Sequence, residues 1–309
     1  MNHVPRLLAS SVVRGSRLGQ SHGGLFLVDM VEGTIEQKLD WNRTDIDISG
    51  RGGDRGLRGI AFHRDNIIVA ANAEILFLDR AFNWTDTYTC RFLRHCHEIA
   101  VHGELLFVTS TGFDSILTFD LRSRTFVQGL QLRYEAGTAK ALAYDPQAAQ
   151  GPAPSQALHI NSVTATSTGI HVSGLRMQQL LRLRGEEVVA VASLPTGTHN
   201  AQLLAGGLIY NDTAADRVCF HSGGRIVTMS VPGYPHEQIL NSERVDAGVA
   251  RPGFARGLCE VAPGMIAVGS SPSTLSIHDL RSGTRVLSRN LSMDVRNAIH
   301  GLAVWPYEE

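Results

Sequence analysis

Short apolar runs broken by Gly, Asn, Asp and Ser recur along the whole chain, and helical periodicity is scarce. Alternation at a period of two, bounded by turn residues, predicts strands. The runs form a repeat. LRGIAFH at 57–63 is followed by runs at 67–70 and 75–79, and CHEIAVH at 96–102 by runs at 105–109 and 116–120. The frame returns at 160–164, 169–173 and 180–183, at 198–202, 207–211 and 217–220, and at 255–259, 265–269 and 275–279. A last opening run, IHGLAVW at 299–305, has no successors. Its missing partners stand at the other end of the chain, at 9–13, 25–29 and 34–39.

With a weaker fourth strand in each copy, this is a four-stranded antiparallel repeat of about 40 residues, the signature of a propeller blade. The sequence therefore predicts an all-β chain with one domain over 1–309. The expected fold is a six-bladed β-propeller closed by the C-terminal strand completing the N-terminal blade, which removes an unpaired sheet edge. Two β-sandwiches would not account for so regular a repeat with complementary ends. Three long connections, 42–56, 134–157 and 232–254, lead from a fourth strand into the next innermost strand. They are candidate lids over one channel mouth.

Aligning the innermost strands brings out a polar slot just before the apolar alternation: Arg58, His97, Asn161, His199, Arg256 and His300. In a propeller these positions face the axis, where six polar groups need a ligand, an ion or water. The histidines occupy alternate blades, 102 and 101 residues apart. That spacing sets three imidazoles about 120° apart, a facial arrangement for one divalent metal with open outer positions. Zinc and iron suit such ligands, and copper is possible. Histidines bonded to one another and to channel water are the plainer alternative. Arg58 and Arg256 would repel a cation unless an anion intervened, so they point to a small carboxylate-bearing substrate gripped by guanidinium groups. Pairing with a lid acid such as Asp54 or Glu98 is the other reading. Asn161 is placed to orient a substrate carbonyl or a water.

The turns between second and third strands add Asn72, Asp114, Arg176, Asp212, Asp216 and Ser271 above the ring. Tyr210 ends a second strand in a histidine-bearing blade. It is a candidate general acid or base, or else a core tyrosine. His159 and His171 fall outside the slot and read as structural or surface residues. Cys96 and Cys259 read as small core residues.

Composition narrows the classes. Twenty-eight Lys and Arg against 29 Asp and Glu give a net charge of −1, with no global attraction for nucleic acid or an anionic membrane. No apolar stretch is long enough for a transmembrane helix. The N-terminus lacks a secretory pattern, and Cys90, Cys96, Cys219 and Cys259 form no CxxC pair, so a cytoplasmic protein with reduced thiols is expected. Nucleotide-binding loops, HExxH and GxSxG are absent.

A six-bladed propeller with axial His97, His199 and His300 from alternate blades resembles the peptidyl-α-hydroxyglycine α-amidating lyases in layout. The resemblance implies zinc on these three histidines, with Arg58 or Arg256 as the nearby arginine and a tyrosine beside them, cleaving a carbinolamide. Gluconolactonase-like hydrolases use an acidic and amide metal ring, and this ring is not acidic. The leading expectation is a metal-dependent lyase or hydrolase acting on a small anionic substrate. A three-histidine Fe(II) oxygenase and a non-catalytic ligand- or protein-binding propeller are the alternatives.

Overall fold

The computed structural model describes residues 4–49, 53–204, 206–244 and 250–307. Among them the only helices are three short 3-10 turns, at Thr213–Ala215, His236–Gln238 and Ser242–Arg244. No helix is long and apolar enough to cross a membrane. The strands form six antiparallel sheets, the blades of a six-bladed β-propeller. Blade 1 runs Asn297–Val304, Leu7–Val13, Gly23–Val28, Ile35–Asp40, so the C-terminal strand does complete the N-terminal blade as its innermost member. Blade 2 runs Ile60–His63, Asn66–Ala70, Glu74–Leu78, Trp84–Thr89. Blade 3 runs Ile99–His102, Leu105–Ser110, Ser115–Asp120, Thr125–Glu135, Thr138–Tyr144. Blade 4 runs Ile160–Thr166, Gly169–Gly174, Gln179–Arg184, Glu187–Ser193. Blade 5 runs Thr198–Leu204, Gly207–Asp212, Arg217–Ser222, Arg225–Ser230, and blade 6 runs Gly253–Ala262, Met265–Ser271, Thr274–Asp279, Thr284–Asn290.

The burial of each strand follows from its place in the blade. Middle strands are covered on both faces, so they read as near-continuous apolar runs, as in Glu74–Leu78 and Leu105–Ser110. Outer strands meet solvent, and Trp84–Thr89 is polar and exposed almost throughout.

The chain divides into two compact units, Ala61–Gln202 and the combination of Met1–Ile60 with Leu203–Glu309. The first has two cores. One gathers Phe77, Phe119, Phe126 and Tyr88 with ring centres 4.9–6.0 Å apart. The other packs Ile160, Val172 and Leu181 against Phe107 and Ile116. The second unit packs Leu7, Val28 and Met30 against Leu275, Ile277 and Ile299, and Ile209 and Val218 against Ile266 and Val268.

One long connection departs from expectation. Residues 138–144 are a fifth strand of blade 3, paired with a fourth strand that extends to Glu135. The ring of Tyr144 lies over Gly129, where a Cβ would come 2.2 Å from it. The rest of that connection is tied down by the Phe113–Ser155 bridge. The connection 232–254 is held by the Leu240–Asp294 bridge and by packing of Ile239 and Ala250 on Val295. Parts of two candidate lids, 50–52 and 245–249, lie outside the described residues.

Candidate functional site

Five of the six innermost strands are entered through a left-handed turn. Two residues before the slot, the backbone takes the left-handed conformation in five blades: Gly56, His95, His159, Gly197 and Phe254 have φ between 52° and 93°. Only glycine enters this region at no steric cost. At Gly56 a Cβ would also come 2.5 Å from Val12 Cα, so the position excludes any side chain. Where the residue is not glycine, the turn of the preceding blade stabilises it. Asn72 Oδ1 meets His95 Nδ1 at 3.0 Å, and its carbonyl accepts from Cys96 N. Asp114, fully buried, accepts from Leu158 N, His159 N and Ser155 Oγ at 2.7–3.1 Å. Asp216 accepts from Phe254 N at 2.8 Å and from Arg251 Nη1 at 2.5 and 2.6 Å. Asp114 and Asp216, read as members of a layer above the ring, thus shape the turns that enter the innermost strands of blades 4 and 6.

In the unit that includes both chain ends, the structure brings Arg58, Arg256 and His300 together. Ser10 Oγ donates to the Arg58 carbonyl at 2.5 Å and accepts from Gly301 N at 2.8 Å. Gly301 is required there, because a Cβ would lie 2.2 Å from that same carbonyl. On the other side, Thr213 Oγ1 donates to the Ala255 carbonyl and fixes the strand bearing Arg256. Arg256 Nη1 donates to His300 Nε2 at 2.8 Å. A guanidinium is a donor only, so Nε2 is the accepting nitrogen. Arg58 Nη2 donates to the Gly53 carbonyl at 3.2 Å.

Two further residues belong to this group. The Phe254 ring carries the guanidinium carbons of Arg14 at 4.4 Å, Arg256 at 4.6 Å and Arg251 at 5.3 Å. Arg14 is buried. Arg14 and Arg256 are thus at most about 9 Å apart, where two like charges near a protein surface repel by on the order of 2 kcal/mol. Arg14 and Phe254 lie outside the aligned slot and were missed. The signal for Phe254 was its place two residues before Arg256.

In the other unit, His97, Asn161 and His199 occupy neighbouring innermost strands and are all buried. Thr109 Oγ1 accepts from His97 N and Glu98 N at 2.9 Å each and fixes the backbone at His97. His97 Nδ1 meets the His95 carbonyl at 2.8 Å and Thr111 Oγ1 at 3.0 Å. Thr111 directs its own proton to the Ile160 carbonyl, so it accepts from the ring. Nδ1 therefore carries the proton and Nε2 the lone pair. The ring of His159 stands edge-on to His97 at 5.3 Å, so His159, read as peripheral, borders the site. Asn161 Nδ2 donates to the Thr198 carbonyl at 3.0 Å, while its Oδ1 is buried without a partner among the described residues. Glu98 Oε1 accepts from Asn200 Nδ2.

Among the described residues no group of three or more His, Cys, Asp or Glu side chains is arranged to hold a metal ion. The donor set explains part of this, since the Nε2 lone pair of His300 is taken by Arg256. Tyr210 is buried with its hydroxyl 3.3 Å from His221 Nε2, in a strand pair opposite Cys219. Burial and the Cys219 sulfur push its phenol above the ordinary range, the opposite of what a general base needs. His171 is a buried member of its strand. The four cysteines are free, and Cys96 is buried.

No family model matches this sequence, and no curated protein matches it. Solved structures do resemble it. A protein of unknown function from Bacteroides caccae aligns over 96% of this chain and 98% of its own, with a TM-score of 0.58 and 10% identity. A chain of the nidogen/laminin complex aligns over 96% and 97%, with a TM-score of 0.57 and 10% identity. A catalytically inactive virginiamycin B lyase from Staphylococcus aureus, solved with quinupristin, aligns over 82% and 75%, with a TM-score of 0.46 and 12% identity. At such identities, the first two likenesses show the fold alone.

Proposed function

We propose that this chain binds a small carboxylate-bearing molecule through Arg58 and Arg256, with Arg14 beside them on the Phe254 ring. The observation that carries the reading is the placement of Arg256: its guanidinium lies on Phe254 and donates to an imidazole. A carboxylate is a stronger acceptor than neutral imidazole and takes both N–H groups of a guanidinium at once. Its arrival draws Nη1 away from His300 and leaves the Nε2 lone pair beside the bound anion. His300 is then a base next to a held substrate, the requirement of lyase or hydrolytic chemistry. Calorimetric titration with acetate, pyruvate and succinate tests the binding step. Saturable heat with at least one of them, lost in R58Q and R256Q, is the expected result. Equal binding by both variants would overturn the reading.

The second reading keeps a divalent ion on His97, His199 and His300, zinc for a lyase or hydrolase and iron for an oxygenase. What favours it is His97, whose Nδ1 is anchored to a backbone carbonyl in the manner of metal-ligating histidines. It requires Arg256 to leave His300. Elemental analysis after anaerobic purification tests it: one equivalent of metal, lost in H97A, supports this reading, and a metal-free folded chain removes it.

A further inference from the structure

A cavity lies in the same unit as Arg256, at the opposite end of blades 5 and 6. Arg256 stands near the start of Gly253–Ala262 and the cavity begins past that strand's end, about 20 Å away along the strand. It encloses about 320 Å³ between Phe220, Val227 and Leu280, with Ser222, Arg225 and Arg281 at its rim. Val227 and Leu280 are buried members of the blade 5–6 core, so the floor is rigid and apolar. Gly264 lines it without a side chain. Gly283 underlies Val227, whose Cγ1 lies 2.9 Å from where a Cβ would stand.

The rim charge is positive. Arg225 Nη2 donates to the Arg281 carbonyl at 2.6 Å, which fixes that guanidinium over the opening. Neither Arg225 nor Arg281 is in an ion pair among the described residues. The nearest acid in sequence, Asp279, accepts from Arg281 N at 2.7 Å and Ser282 N at 3.2 Å and interacts electrostatically with Arg281, so the two guanidinium groups and this carboxylate leave the rim net positive. An apolar floor under two guanidinium groups selects a molecule with an apolar body and one anionic end. The volume suits a small molecule and excludes a helix or a folded partner.

We propose that this cavity is a binding site for a small amphipathic carboxylate, a medium-chain aliphatic or aryl acid, with its tail on Val227 and Leu280 and its carboxylate on Arg225 and Arg281. It is separate from the Arg58 and Arg256 site and does not depend on that reading.

Octanoate, with octan-1-ol as the neutral twin, tests it by methyl NMR of the intact chain. Octanoate is expected to shift Val227 and Leu280 saturably at one equivalent, and at least tenfold more tightly than octanol. R225Q combined with R281Q is expected to bring octanoate down to the octanol level. V227F, which fills the floor, is expected to abolish binding of both while the remaining methyl spectrum reports an intact fold. Equal affinity of acid and alcohol for the unmodified chain overturns the proposal. So do octanoate shifts confined to Ala255 and Leu258, which would place the acid at Arg256 instead.

Discussion

Arg256 Nη1 and His300 Nε2 are 2.8 Å apart, and the hydrogen bond runs from guanidinium to imidazole. In the proposed reading, the pair holds the donor for a carboxylate against an acceptor that the carboxylate displaces. Replacing Arg256 by Lys keeps the charge but loses the two-pronged geometry. R256K is expected to weaken carboxylate binding about tenfold, and R256Q about a hundredfold, in line with 1.5–3 kcal/mol for a charge-assisted bond. Calorimetry on the two variants checks the order.

Gly301 packs against the backbone of Arg58 and the hydroxyl of Ser10. G301A must push the innermost strand of blade 1 away from Arg58. A cost of about 1–3 kcal/mol in urea unfolding is expected, together with weaker carboxylate binding, because Arg58 and His300 move apart. S10A is expected to cost about 1 kcal/mol through the loss of both hydroxyl bonds.

Asp114 and Asp216 do the same work in different blades, but Asp114 is fully buried while the Asp216 side chain is 40% exposed. D114A leaves two backbone N–H groups unsatisfied in the interior and is expected to destabilise by about 3 kcal/mol. D216A, screened by solvent, is expected to cost only about 1 kcal/mol. It should nonetheless weaken carboxylate binding, because it releases Phe254 from its left-handed turn. Denaturant midpoints and binding heats measured on both variants separate the two effects.

His278 is buried in blade 6, with Nε2 2.9 Å from Ser276 Oγ. Burial first, and then Arg285, hold its pKa at about 4 against an ordinary 6.5. The unfolded chain therefore binds the proton more readily than the folded one between those values. Stability is retained above pH 6.5 and falls as the pH drops toward 4, by on the order of 3 kcal/mol from this residue. H278Q is expected to flatten that part of the curve. Urea unfolding at pH 7, 5.5 and 4.5 measures it. Burial pushes His22 and His171 the same way, so the slope is reduced rather than abolished.

The blades were legible because strand alternation, turn glycines and the repeat all point to one architecture. The strand at 138–144 was not, because TAKALAY has little β-branching and its pairing rests on Tyr144 covering Gly129. That Arg256 and His300 stand on innermost strands of neighbouring blades was legible from repeat alignment, and their contact follows from that adjacency. Phe254 and Arg14 were not. A phenylalanine in the left-handed region carries no mark of it in its residue type, whereas Gly56 and Gly197 at the equivalent positions do. The acceptor role of His300 Nε2 depends on which nitrogen faces Arg256, and spacing does not encode that.

As proposed, Arg58 and Arg256 hold a carboxylate without help from a metal. The most direct measurement is calorimetric titration of acetate, pyruvate and succinate into the chain after exhaustive chelation, alongside R256Q. Saturable one-to-one binding that survives chelation and is lost in R256Q is the predicted result. Binding that disappears with the chelator, or persists unchanged in R256Q, would contradict it.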